Sequence, residues 1–129
     1  MTWKVLAIAL GAALGANLRY GVSLWAAKRW GVEFPFGTFL INVSGSFCIG
    51  LILTLGTTRL VLTEETRLFL VTGFLGGYTT FSTFSIEAVN LAISGRIGAA
   101  LAYSGGSVVV GMAAAAAGIA LASLGFGRK

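Results

Sequence analysis

The chain contains no histidine and no aspartate, one cysteine, one proline and only four acidic residues among 129. Without His or Asp, a single copy cannot assemble a histidine-bearing zinc site or a Ser-His-Asp hydrolase triad. Cys48 has no second thiol to pair with, and inside an apolar tract it acts as a small apolar side chain. Charged residues make up 10% of the chain, against roughly a quarter in a soluble domain. There is no nucleotide-binding motif, and nothing in the composition points to an enzyme. The formal charge of +5 comes from Lys and Arg that mostly mark the ends of apolar tracts. They do not gather on one face or arm, as in a nucleic-acid binder. That placement fits contact with phospholipid head groups and no nucleic-acid partner.

What fills the chain is apolar: 57% hydrophobic residues and a mean hydropathy of +0.92. A bilayer core takes about 20 helical residues, and four tracts near that length follow one another: about Val5 to Ala27, Gly37 to Thr58, Arg67 to Ser94, and Gly98 to Leu124. The expected protein is an all-α, multi-pass membrane protein of the cell (inner) membrane, residues 1–129 forming a single transmembrane domain. Met1 to Ala16 imitates a signal peptide, but the apolar run resumes after Arg19 and continues to Ala27, which predicts an uncleaved first span. Connections are short: Lys28 to Phe36 holds the proline, Arg59 to Thr66 the acidic pair Glu64 and Glu65, and Ser94 to Ile97 is a turn. Thr63 is expected to cap the third helix, with Glu64 and Glu65 at the positive end of its dipole.

Four spans place Lys4, Arg59, Arg67, Arg128 and Lys129 on one side, and Lys28, Arg29 and Arg96 on the other. The bias is weak under the positive-inside rule. It suits a chain that inserts both ways as well as a singly oriented one. Four helices leave little room for a private aqueous path, while 19 glycines favour close helix approach, so a pathway shared by more than one subunit is expected. Ala113 to Ala117 reads as helix-packing sequence.

The third tract carries the most information. Gly76-Gly77-Tyr78-Thr79-Thr80-Phe81-Ser82-Thr83-Phe84-Ser85 is rich in glycine, hydroxyls and aromatics where lipid can satisfy no loosened backbone. A helix broken there is a recurrent way to build an ion site. In the second tract Thr38, Asn42 and Ser46 recur every four residues along one helix face. Ser46 is read as a helix-packing hydroxyl. Asn42 is costlier to desolvate, and its amide donors suit an anion as well as a neighbouring helix. Phe81 and Phe84 project from nearly one side, with Ser82 and Thr83 flanking them and Glu87 one turn beyond Thr83. Phenylalanines in a span ordinarily face lipid or pack. Their positive edges beside hydroxyl and amide donors can also replace part of a small anion's hydration shell.

Glu87 is the only carboxylate inside an expected span, a functional position by default. It is either the titrating group of a proton-coupled carrier or a hydrogen-bonding terminus of an anion path. Arg19 either concentrates anions at a pore mouth or pairs with Glu87. In the fourth tract Tyr103 and Ser107 form a second polar track, with Gly106 and Gly111 allowing close approach.

Gly11, Gly15-Ala16 and Arg19-Tyr20, then Gly37-Thr38 through Asn42 and Gly45 to Gly50, and finally Gly73-Phe74-Leu75-Gly76-Gly77-Tyr78-Thr79-Thr80-Phe81-Ser82-Thr83-Phe84 together resemble the CrcB/Fluc family of fluoride channels. The resemblance covers three of the four spans, and its third-span motif is highly specific. It implies an antiparallel, dual-topology homodimer in the lipid bilayer, with two fluoride pathways and a structural sodium ion at the dimer centre. By position it implies that Phe81 and Phe84 form an aromatic box beside the Asn42 amide, that Thr38, Ser82, Thr83, Tyr103 and, more loosely, Ser107 line the path with Glu87, that Arg19 lines a vestibule, and that the backbone carbonyls of Gly76 and Thr79 hold Na+. The expected activity is passive, fluoride-selective export. Two other readings of the residues stay open. One is a small dual-topology, proton-coupled multidrug exporter that binds organic cations at Glu87; the other is a cation channel filtered by the Gly76 to Thr79 carbonyls.

Overall fold

A computed structural model describes residues 1–58 and 62–126; Arg59, Arg128 and Lys129, weighed above for orientation, lie outside the described residues. Every described regular element is helical: α1 (Thr2–Trp30), α2 (Phe36–Thr58), α3 (Glu64–Arg67), a π-helix (Leu68–Leu75), α4 (Gly76–Tyr78), α5 (Phe81–Ile93) and α6 (Ile97–Phe126). Among these, three helices are long and apolar enough to cross a membrane, over Thr2–Trp30, Phe36–Thr57 and Ile97–Gly125. The third apolar tract is divided between α3, the π-helix, α4 and α5, with Thr79 and Thr80 extended between the last two. The protein is a multi-pass membrane protein whose third tract is broken.

Local chemistry sets the helix ends. Thr63 Oγ1 accepts the Thr66 N–H at 3.2 Å, so the expected cap is present and satisfies one of the four free N–H groups of a helix start. Gly31 and Gly95 take φ of 78° and 80°, a left-handed backbone open to glycine at little cost, and they end α1 and the turn before α6. Pro35 stands just before α2, where its missing N–H removes no ladder bond.

Glycine lets the helices touch. α1 packs on the π-helix and α4, while α2 packs chiefly on α6. A Cβ at Gly15 would collide with the Phe74 carbonyl, and one at Gly77 with the backbone of Ala12. The paired glycines are not themselves the break. Gly76 and Gly77 are helical, and Gly77 serves close approach; the chain leaves the helix two residues later, at Thr79. Lys4 Nζ meets Glu64 Oε2 at 2.6 Å and ties the start of α1 to that of α3.

Candidate functional site at the helix break

Asn42, on α2, holds the break open. Its Nδ2 donates to the Thr80 carbonyl and its Oδ1 accepts the Thr80 N–H, each at 2.9 Å. Thr80 is 8% exposed, and a backbone amide and carbonyl left unpaired at that depth would cost about 1–3 kcal/mol each. One Asn side chain therefore does for the extended segment what a helical ladder would otherwise do. One Asn42 amide hydrogen remains beyond those two bonds.

The same segment diverts donors from two carbonyls. In an unbroken helix the Gly76 and Thr79 carbonyls would accept from Thr80 and Thr83, four residues on. Here the Thr80 N–H goes to Asn42 Oδ1, and the Thr83 N–H goes to Thr80 Oγ1 at 3.2 Å. Gly76 is exposed, and with Thr79 it lines a groove on the open side of the bundle. Among the described residues no cluster of His, Cys, Asp and Glu could hold a metal ion. These two oxygens nevertheless fit a hard monovalent cation, which prefers oxygen ligands.

That groove, about 420 Å³, also collects Asn42, Ser46, Thr80, Phe81, Phe84 and Ser107. Phe81 is 79% exposed and stands 5.7 Å from Phe84, ring centre to ring centre, with planes inclined at 41°. Ser107 Oγ is buried and finds no hydrogen-bond partner among the described residues. A buried hydroxyl on a groove wall without a partner is a place for a ligand or a second chain. Ser46 turns away from such a role, bonding back to the Asn42 carbonyl of its own helix at 2.7 Å.

Beyond Phe84 the polar line continues. Phe84 packs on Tyr103 at 5.2 Å. The Tyr103 hydroxyl, on a fully buried side chain, donates to Glu87 Oε2 at 2.7 Å, and Thr38 Oγ1 donates to Oε1 at 2.9 Å. Phe34, from the α1–α2 loop, meets Tyr103 in a T-shaped contact, ring centres 5.5 Å apart. Asn42, Phe81, Phe84, Tyr103, Glu87 and Thr38 are thus linked by direct contacts or a shared groove. Ser82 is exposed and lies 3.3 Å from Thr80 Oγ1, while Thr83 Oγ1 accepts from the same hydroxyl at 3.1 Å.

Arg19 stands apart from Glu87: among the described residues the ion pair is Lys4 with Glu64, and both Glu87 oxygens go to hydroxyls. The pairing of Arg19 with Glu87, one of its two expected roles, is not formed. Arg19 instead lines a cavity of about 270 Å³ with Tyr20, Ser23, Thr38, Thr80 and Thr83. A Cβ added at Gly106 would meet nothing within 4 Å, so no close helix approach depends on that glycine within one copy. Two features of the site carry little signal in the sequence. Thr80 caps α5, and the one hint of it in sequence is a threonine three residues before Thr83 within the Gly76 to Ser85 run, an N-cap pattern. The hydroxyl of Tyr78, bonded to Ser44 at 2.9 Å, gave no signal in advance.

Residues 6–119 match the family described as CrcB-like protein, Camphor Resistance (CrcB). A Fluoride-specific ion channel FluC of Chloroflexus aurantiacus is 58% identical over 118 residues, spanning 92% of this chain and 94% of the relative. A protein of the same name from Roseiflexus sp. is 54% identical over 110 residues, 85% of this chain and 89% of its own. Another, from Acidobacterium capsulatum, is 49% identical over 111 residues, 86% and 89%. The match runs from the first helix through the break and into α6, so the chain that joins Asn42 to Thr80 and Tyr103 to Glu87 belongs to the CrcB family.

Proposed function

We propose that this protein is a passive, fluoride-selective ion channel of the cell (inner) membrane that exports cytoplasmic fluoride. The observation that carries the reading is the groove that brings Asn42, Phe81, Phe84 and the unpartnered Ser107 hydroxyl together. Relatives named fluoride-specific channels, at up to 58% identity, support it. The path runs from this groove past Phe84 to Tyr103, Glu87 and Thr38, with Ser82 and Thr83 at its side and Arg19 in a vestibule. A small anion stripped of water meets ring edges, a spare amide hydrogen and hydroxyls in turn. A larger halide fits that narrow donor line less well, and passage still requires weak binding at each step. An inside-negative potential drives an anion outward by roughly 2.3 kcal/mol per charge per 100 mV, so export needs no ATP.

The working unit is an antiparallel, dual-topology homodimer. In one copy the groove is open, Phe81 is exposed, and Gly76 and Thr79 line the groove beside it, all of which a second copy would cover. A twofold axis there brings four carbonyl oxygens from two residues together, a site for structural Na+ that would pin the two breaks. The exporter reading is weaker, because the relatives carry the name of fluoride-specific channels and both Glu87 oxygens are tied to the Thr38 and Tyr103 hydroxyls of the polar line.

Efflux from liposomes containing the purified protein tests the proposal. Rapid fluoride release with little chloride release is expected, and comparable chloride release refutes selectivity. Retention of fluoride release by Glu87→Gln alongside its loss in Phe81→Ile separates the channel from the exporter.

A further inference from the structure

The Thr38–Glu87 end of the polar line opens into a second cavity, of about 470 Å³. Its floor is Thr38 and Glu87; its walls carry Asn90, Ser94 and Arg96, all exposed, and the loop from Gly31 to Gly37. Asn90 lies one turn beyond Glu87 on α5, Ser94 follows one turn later, and Arg96 closes the turn before α6. Sequence alone read Arg96 only as a span-end cation.

The guanidinium has two relations here. Its Nη1 donates to the Glu33 carbonyl and straps the α1–α2 loop to the α5–α6 turn. No carboxylate pairs with it among the described residues, where the ion pair is Lys4 with Glu64. Five N–H donors in a fixed fork leave several for the cavity. Lys28 and Arg29, in the last turn of α1, add positive charge at the same loop, and the Glu33 and Glu87 carboxylates oppose it. A low-dielectric cleft with a cation on its wall concentrates counter-ions of the opposite sign.

We propose that this cavity is the anion reception site at the Glu87 end of the pathway, with Arg96 as the residue that draws the halide in. The inference rests on the channel reading above and assigns one mouth of it. The Ser94 hydroxyl is donated to the Leu91 carbonyl at 2.9 Å, whereas the Asn90 amide, exposed on the same cavity, can still donate to an arriving anion that has left part of its water behind. Arg96 acts at entry, and selection is left to the narrower line beyond.

Salt separates this role from that of a loop strap. The Debye length is about 30 Å at 0.01 M and about 3 Å at 1 M ionic strength. Fluoride efflux from liposomes is measured at both, at fixed fluoride, for the wild type, Arg96→Gln and Arg96→Lys. At low ionic strength Arg96→Gln is expected to be roughly 10-fold slower than wild type, the lower end of electrostatic steering effects, with Arg96→Lys near wild type and all three converging at 1 M. A deficit in Arg96→Gln that is the same at both ionic strengths, or no deficit at either, overturns the proposal. If Arg96→Gln does not fold, a wild-type-to-Arg96→Lys comparison after carbamylation of exposed lysines replaces it: the treated Lys variant must lose low-salt flux relative to treated wild type, and parity overturns the assignment. A wild type that releases no fluoride refutes the channel reading itself.

Discussion

Asn42 and Thr80 are joined twice, amide to carbonyl and amide to N–H, both at 2.9 Å, across 38 residues of sequence. A side chain that would pass as one more polar group in a span thereby fixes where the third tract stops being helical. Asn42→Ala removes both bonds and leaves two buried backbone groups unpaired, at about 1–3 kcal/mol each. The expected result is a clear fall in thermal midpoint in detergent together with loss of fluoride efflux. Asn42→Asp keeps the acceptor for the Thr80 N–H but loses the donor to the carbonyl, so its midpoint is expected between those of wild type and Asn42→Ala.

Phe81 separates packing from function. At 79% exposure it contributes little to the fold of one chain, so Phe81→Ile is expected to leave secondary structure intact and to slow fluoride release by tenfold or more, a barrier change of about 1.4 kcal/mol. Circular dichroism and liposome efflux on the same preparation check it. Unchanged efflux would mean that the ring faces acyl chains.

Close approach at Gly77 is equally testable. A Cβ there meets the Ala12 backbone, which has no flexible end to move aside, whereas Gly21 in α1 meets nothing within 4 Å. Gly77→Ala is expected to cost about 1–3 kcal/mol, as overpacked sites do. Gly21→Ala should be neutral or slightly stabilising, since Ala is the better helix former. Thermal melts of the two variants side by side give the comparison.

How much of this was legible in advance follows from which interactions are local. Apolar tract length and the Thr63 cap depend on neighbours in sequence, and the helical architecture and that cap were readable. The third tract is suspect because Gly76 to Ser85 contradicts its surroundings, but composition does not say which residue of that run leaves the helix. The break occurs at Thr79 and Thr80, because the residue that stabilises it, Asn42, lies on another helix. The π-helix over Leu68–Leu75 has no composition signal, being an ordinary apolar run. At the site, Glu87 was conspicuous as a lone carboxylate, but its two partners come from α2 and α6 and are set by packing.

Lys4 and Glu64 give a pH prediction outside the spans. The Lys4 ammonium, hydrogen-bonded at 2.6 Å, holds the Glu64 carboxyl below the usual carboxylate range. A lowered folded-state pKa contributes stability that is present above the ordinary pKa and lost as pH falls through the lowered one. The contact should therefore be intact at neutral pH and released only in acid. Carboxyl NMR titration in detergent should place the Glu64 midpoint below that of a free glutamate, and Lys4→Met should return it to the ordinary range. The pair is exposed, so the melting point of Lys4→Met at neutral pH should stay near that of wild type.

Thr80 links the break to the proposed cation. Its hydroxyl takes the Thr83 N–H that would otherwise serve the Thr79 carbonyl, and its own N–H is held by Asn42, away from Gly76. Thr80→Ala removes the cap at a cost of about 1 kcal/mol and frees the Thr83 N–H to reach back toward Thr79. A ligand that binds only the folded protein raises its melting point with concentration. The wild-type midpoint is therefore expected to climb as sodium replaces N-methylglucamine at constant ionic strength. In Thr80→Ala that climb should flatten by more than the cap loss explains, because one of the two oxygens per copy is no longer free. Equal sodium dependence in both proteins would place the cation away from the Thr79 carbonyl.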